Sequence, residues 1–448
     1  PNEGVMTTNA DFVTSWSDVS GNGNDADQGD NNQKPLLVDN VINGNDAIYF
    51  EDDFLDGVAG FNTQEFFLVV KPDLTIQSSN DIGFLIGFKN GAFDGYYLGD
   101  QGDVTGAAVG YGYDTYRSAD VSGSIASSVT LLNARNNDGA TGQELYANES
   151  LISDSESNAG SFGNRTNSYF RLGNNLIETE TYQGYLAEVI SYNIRLTDAE
   201  KRDVATYLAI KYGITLDISS EAYTVDGASI YDNTSYANDI AGIGVNLDHG
   251  LDQTESVSQN DGAIVKMDGS DALSSGDYIV WGNDGTDKTQ VQSAEVPGTV
   301  SDDRLSTEWK VDVYGNPGAV DVKIYLGDID IYSNRIQEAS LYSLMINTSN
   351  DFSTITASYE GAYFSGDTLV FTNVDFNDND FFTIVVPQVA NLNEAVTLWL
   401  KANTGTSTTT DGAAVDSWDN SVNGANNASS TGTARPLYVA DNLNGNPV

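Results

Sequence analysis

Gly184-Tyr185-Leu186-Ala187-Glu188-Val189-Ile190-Ser191-Tyr192-Asn193-Ile194-Arg195-Leu196-Thr197-Asp198-Ala199-Glu200 passes from an apolar, aromatic run into a helix start. Residues 185–192 read as a strand. Thr197 and Glu200 form a capping box, in which the Thr197 hydroxyl accepts from the Glu200 N–H while the Glu200 carboxylate reaches back. Val204, Tyr207, Leu208 and Lys211 follow at helical spacing, and Gly213 suits a left-handed stop. The spacing predicts one helix lying against a sheet and closing a unit near residue 215.

Working outward, short strand-like runs separated by Gly, Asn and Asp turns occupy residues 11–16, 47–50, 66–71, 84–88, 107–111, 129–134 and 169–172. Many strands without intervening helices predict an antiparallel two-sheet sandwich. Downstream, residues 278–281, 308–313, 320–325, 341–346, 368–372 and 381–386 read as strands of a second β unit. Asn316-Pro317-Gly318 makes a turn between two of them, and Pro387 ends the last.

Composition narrows the function classes. The chain has 448 residues, 19 Lys+Arg against 65 Asp+Glu, and a net charge of −46. Binding phosphates requires clustered Lys and Arg, so nucleic acid is excluded as a partner, and anionic membrane surfaces are repelled. No apolar stretch reaches membrane-spanning length. The absence of Cys removes disulfides and thiolate sites, and a lone His249 removes any multi-His metal centre. With 40% hydrophobic residues and 24 Tyr, a packed core is nonetheless within reach.

The chain also repeats itself. Val415-Asp-Ser-Trp418 echoes Val13-Thr-Ser-Trp16, Arg435-Pro436-Leu437 echoes Lys34-Pro35-Leu36, and Asn444-Gly445 echoes Asn43-Gly44. Trp418 follows Trp16 by 402 residues and Pro436 follows Pro35 by 401, so one residue slips within the loop. We therefore expect one full period plus the opening of the next, in a fragment of a longer tandem array. The expected units are 1–215, 216–390 and 391–448. The phase predicts that the first copy lacks its opening strand, whose counterpart lies at 395–401.

Two stretches carry a family resemblance. The run from Gly184 to Glu200, with Tyr207-Leu-Ala-Ile-Lys211-Tyr212-Gly213, resembles the closing strand and helix of laminin-G-like domains. Leu398-Trp399-Leu400-Lys401-Ala402, Val415-x-x-Trp418 and Trp16-x-Asp18-x-Ser20-Gly21-Asn22-Gly23-Asn24-Asp25-Ala26 are similar to the opening of the same family. These are concanavalin A-like jelly rolls common in secreted proteins of Bacteroidota, and the likeness covers about 1–215 and 391–448. Residues 216–390 more weakly resemble the β module that follows such domains in giant surface proteins, gliding-motility adhesins included. The resemblance implies an all-β, concanavalin A-like antiparallel jelly-roll sandwich with one capping helix, followed by a second β-sandwich module. It implies a binding fold, often calcium-dependent, on the cell surface.

Several side chains could carry chemistry. Calcium prefers six to eight hard oxygens, and Asp18, Asn22, Asp25 and Asp27 supply such donors on one loop. Asp375, Asp378 and Asp380 supply them on another, and Asn283-Asp284-Gly285-Thr286-Asp287 forms a third cluster. The same residue types also make turns unaided. Relatives of this fold that cleave glycans need two carboxyls close together. Glu188 has no acidic partner two residues away, where Ile190 stands, and His249 sits in a turn-like string. Tyr96, Tyr97, Tyr111, Tyr113 and Tyr116 read either as a sugar-stacking platform or as strand packing. Trp16, Trp281, Trp309, Trp399 and Trp418 read as core.

The expected function is a non-catalytic stalk and adhesive surface, calcium-stabilised. Its partners would be an extracellular glycan or surface protein and neighbouring repeats. The alternatives are an ancillary carbohydrate-binding region of a secreted polysaccharide-degrading enzyme and a purely structural spacer.

Overall fold

The structure is a computed structural model. It describes residues 11–57, 61, 63–73, 83–88, 95–98, 108–112, 118–120, 128–136, 143–153, 169–175, 180–270, 273–297, 303–326, 339, 342–386, 398–421, 427–440 and 447–448. The expectations resting on Pro387, Tyr113 and Tyr116 lie outside these residues.

The chain is all-β, with a single α-helix among the described residues. A seven-stranded antiparallel sheet runs in the order Ser150–Ser153, Gln143–Ala147, Thr130–Asn136, Glu65–Pro72, Gln183–Tyr192, Asn45–Glu51 and Leu36–Ile42. An eight-stranded sheet packs over it, from Ser15–Trp16 at one edge through Ala26–Asp27, Leu55–Gly57, Phe170–Leu172 and Gly83–Phe88 to Ser118–Asp120. Phe50, Phe66, Leu68 and Val70 meet Ile86, Phe88, Phe170 and Leu172 between them. A second sandwich follows. Its nine-stranded sheet centres on Asn238–Asn246, Asp277–Asn283, Trp309–Tyr314 and Asp380–Val386, and its five-stranded sheet centres on Val265–Asp268, Val320–Tyr325 and Thr368–Val374. Trp281 and Trp309 are buried in this second core, whereas Trp16, Trp399 and Trp418 are half-buried.

Helix α1, Asp198–Tyr212, forms as its sequence predicts. Thr197 caps it with both arms of the capping box, and Gly213 ends it at φ 65°. Its packing differs from the expectation of a helix resting on one sheet. Lys201, Arg202, Ala205, Thr206, Leu208, Ala209, Ile210 and Tyr212 are all buried, so burial extends over about half of the helix circumference, with Asp203, Val204, Tyr207 and Lys211 half-buried on the remainder. The reason is a third core. The outer face of the seven-stranded sheet (Phe67, Val69, Leu131, Ala187) and that of the nine-stranded sheet (Ile240, Tyr278, Val280) close on α1 from opposite sides. The two sandwiches thus share a core instead of hanging as separate beads.

Strand sequences record this double burial. Glu65–Pro72 alternates Phe66, Leu68 and Val70 into one core with Phe67 and Val69 into the other, which explains an unbroken apolar run. Asn238–Asn246 escaped the sequence reading because Gly242 and Gly244 dilute its pattern. A Cβ on Gly242 would stand 2.3 Å from Ile210 Cδ1, so the glycine lets α1 approach the sheet.

The C-terminal stretch rebuilds the N-terminal arm. Trp16 pairs with Ala26 and Trp418 with Ala428. Val13 N–H donates to Pro35 O at 2.8 Å, and Val415 N–H to Pro436 O at 2.8 Å. Gln28 donates to Thr14 O and Ser430 to Asp416 O, both at 2.9 Å. Asp18 N–H donates to the Asp25 carboxylate, and Asn420 N–H to the Asn427 amide oxygen. The sequence repeat is therefore also a repeat of conformation.

Candidate functional site

The acidic loops close on their own backbone. The Asp18 carboxylate accepts from the N–H groups of Ser20 at 2.8 Å and Asn24 at 3.0 Å. Although burial pulls it upward, these hydrogen bonds from Ser20 and Asn24 hold Asp18 below the usual carboxylate range. Asn22 donates to the Ser20 hydroxyl, and Asp27 lies exposed in the strand beside Asp56. In the second cluster, Asp380 is buried and accepts from Asn377 N–H at 2.8 Å, while Asp378 accepts from Val313 N–H at 3.1 Å. Asp375 donates its N–H to the Tyr359 hydroxyl. Asp284 and Asp287 accept from Thr286 and Thr289 in the same way. Among the described residues no three such side chains converge on a metal position.

The Asp53 carboxylate is displaced upward in titration. Burial pushes Asp53 up to about 6, against a hydrogen bond from Glu51 N–H and with the charges of Asp52 and Glu51 adding. A carboxyl raised in the folded state destabilises that state progressively as pH climbs from about 4 through 6. Asp53→Asn should therefore raise the melting temperature at pH 7.5 and leave it unchanged at pH 4. A shift equal at both pH values would contradict this.

Glu188, the one carboxylate of the closing strand that invited a catalytic reading, is tied into α1. It accepts from Lys211 Nζ at 2.8 Å, Tyr212 OH at 2.8 Å and Tyr207 OH at 3.1 Å. Burial and the Glu188 charge push the Tyr207 hydroxyl up to about 12. His249 lies in the turn after Asn246, 3.5 Å from the Asp226 carboxylate, with its side chain 48% exposed. The side chains of Tyr96, Tyr97 and Tyr111 lie outside the described part of the structure.

The described concavity lies elsewhere, where the shared core opens. A cleft of about 450 Å³ is walled by Asn148, Ser150 and Ile152 on one side and Thr215–Ser219 with Thr234 and Ala237 on the other. Its first wall is the hairpin turn Asn148-Glu149, at φ 47° and 66°. The turn is held by Asn148 Oδ1, which accepts from Leu131 N–H at 2.8 Å. Glu149, its side chain 2% exposed, pairs with Lys201 Nζ at 2.7 Å. The second wall is fixed by Arg202, which donates to the carbonyls of Asp217, Glu221 and Ala222. Asp217 N–H donates to Asn148 O at 2.8 Å and joins the walls. The lining mixes apolar side chains, Ala147, Ile152, Leu216 and Ile218, with the polar Asn148, Ser150, Thr215 and Asp217. Sequence reading missed it because three distant segments build it. The available signal was the two-residue turn between the short runs 145–147 and 150–152.

Comparison with known proteins adds fold context. Residues 200–380, from the first turn of α1 to the start of the last strand of the second sandwich, match a family described as a domain of unknown function (DUF8202). No curated protein matches the chain. Among solved structures, domain 4 of AbnA, an extracellular arabinanase of Geobacillus stearothermophilus, was solved with arabinotriose. It is 18% identical over 44% of this chain and 100% of that one, with a TM-score of 0.32. The CBM40 of a Ruminococcus gnavus sialidase, bound to α2,3-sialyllactose, is 16% identical over 31% and 80%, with a TM-score of 0.25. The binding domain of botulinum neurotoxin DC, in complex with rat synaptotagmin II, is 12% identical over 88% and 97%, with a TM-score of 0.35. Likenesses at this level say nothing of what this chain binds. No described helix is long and apolar enough to cross a membrane.

Proposed function

We propose that the chain is a non-catalytic repeat unit of an extracellular, cell-surface adhesin, and that the cleft between Asn148 and Asp217 binds a neutral glycan. The observation that carries this reading is the second arm, in which residues 413–438 re-form the hydrogen bonds of residues 11–37. Beginning the same module twice is the mark of a tandem array, the architecture of a stalk that multiplies weak binding sites. The net charge of −46 disfavours sialylated or sulfated ligands. Glu188 is engaged by three donors, which supports binding without cleavage.

A glycan array probed with the full chain tests this. Neutral oligosaccharides should be retained, and filling the cleft mouth by Thr234→Trp or Ser219→Trp should lower retention by about tenfold or more with the melting temperature unchanged. Both positions are exposed. Retention that ignores both substitutions would place the ligand elsewhere. No retention at all would favour the spacer reading.

A further inference from the structure

One lysine of the second sandwich is buried among amides. The strand Trp309–Tyr314 turns Trp309 and Val311 into the second core, so Lys310 and Asp312 point to its other face. Asn233, from the turn after the strand Ala228–Tyr231, meets them there. Lys310, 6% exposed, donates through Nζ to Asn233 Oδ1 and to Asn379 Oδ1, each at 2.6 Å. Its carboxylate stands farther off, with Asp312 Oδ1 3.4 Å from the same nitrogen. A buried ammonium is ordinarily held by its counter-charge, whereas here two neutral amides hold it more closely. Asp312 Oδ2 in turn accepts from Asn233 Nδ2 at 2.6 Å. One carboxyl therefore touches both the amine and the amide nitrogen, with the Asn233 carbonyl oxygen on the amine. The Phe381 ring lies 5.5 Å from Nζ and packs on Tyr236 at 5.3 Å, so apolar surface borders the group. Burial pushes the Asp312 carboxyl upward against the pull of Lys310, which suits a group that exchanges protons.

We propose that Lys310 and Asn233 join in an intramolecular isopeptide bond, with Asp312 carrying the protons. Asp312 takes one proton from the Lys310 ammonium through Oδ1. The freed amine attacks Asn233 Cγ, and a C–N bond forms. Asp312 passes its proton to the departing Nδ2, and the Cγ–Nδ2 bond breaks. The ammonia takes the remaining surplus proton from the attacking nitrogen and leaves as ammonium. An ammonium and a carboxamide thus become a secondary amide and a free ammonium ion, with no oxidant or cofactor consumed. Holding amine and amide in contact makes this an intramolecular step. Asn379 serves differently. Among the described residues its Nδ2 meets Asp378, at 2.8 Å, and not Asp312, so its oxygen orients the amine. The bond would bridge 77 residues of sequence and restrict the unfolded chain as a disulfide does. It would also fix the residue beside Thr234, a wall of the cleft, whatever that cleft binds.

Mass spectrometry of the full, denatured chain tests this directly. The expected mass lies one ammonia, about 17 Da, below that of the sequence. Digestion should then yield a branched peptide joining Lys310 to Asn233. Cyclisation at an Asn-Gly pair loses the same mass, so the branched peptide decides. Lys310→Arg and Asp312→Asn should each abolish the branch while keeping the β-sheet circular dichroism of the parent chain. The full sequence mass, or an ammonia loss without a branched peptide, would overturn the proposal. So would a branch at Asn379, or one that persists in Asp312→Asn.

Discussion

Replacing Arg135 by Met should cost about 3–5 kcal/mol, the loss typical of breaking a buried ion pair from one side. Arg135 is 1% exposed and Glu65 is fully buried, their charged groups 3.1 Å apart. Burial pushes the Glu65 carboxyl up while Arg135 opposes it. Both residues also grip the entry to α1. Arg135 donates to Leu196 O, Glu65 accepts from Leu196 N–H at 2.9 Å, and Arg135 further pairs with Asp198 at 2.6 Å. Removing the guanidinium strands a carboxylate in the core and loosens the capping box at once. Glu65→Met with Arg135→Met should recover much of the loss, because apolar isosteres need no partner. Urea midpoints of the two variants measure this. A double variant as unstable as Arg135→Met alone would contradict the buried-charge account.

The second large effect lies at Asn43. Asn43-Gly44 closes a two-residue hairpin at φ 50° and 77°, the turn that Asn-Gly favours. Its side chain then latches the sandwiches together. Nδ2 donates to Lys211 O at 3.1 Å and Ser256 Oγ at 3.0 Å, and Oδ1 accepts from Val257 N–H at 2.9 Å. Asn43→Gly keeps the positive φ and removes only these bonds, leaving a half-buried N–H unpaired. The expected loss is about 2–3 kcal/mol. Unfolding should also broaden or split, since the latch joins the first sandwich to α1 and the second. A loss below about 0.5 kcal/mol with one sharp transition would show the latch to be dispensable.

How much of this was legible varied by element. Thr197, Glu200 and Gly213 act locally, so their sequence alone placed both ends of α1. Continuous apolar runs such as residues 66–70 marked strands but could not announce that both faces are covered, because α1, which covers the second face, lies more than a hundred positions away. Asn238–Asn246 was hidden by glycines whose purpose is close approach to Ile210. Short pairs such as Ala26–Asp27 carry too few residues for a period. At the sites, Asp18 and Asp380 carry the donors of a cation loop, but their oxygens face N–H groups of the same turn. Composition cannot distinguish those two uses of a carboxylate. The repeat was visible at once as sequence, because its residues recur in order at a nearly constant offset.

The central claim is binding without cleavage at the cleft. The most direct measurement is calorimetric titration of a retained oligosaccharide into the full chain, followed by chromatography of the sugar after prolonged incubation. The account predicts saturable heat that Thr234→Trp abolishes, with the sugar recovered intact. Cleaved sugar, or heat unchanged by Thr234→Trp, would contradict it.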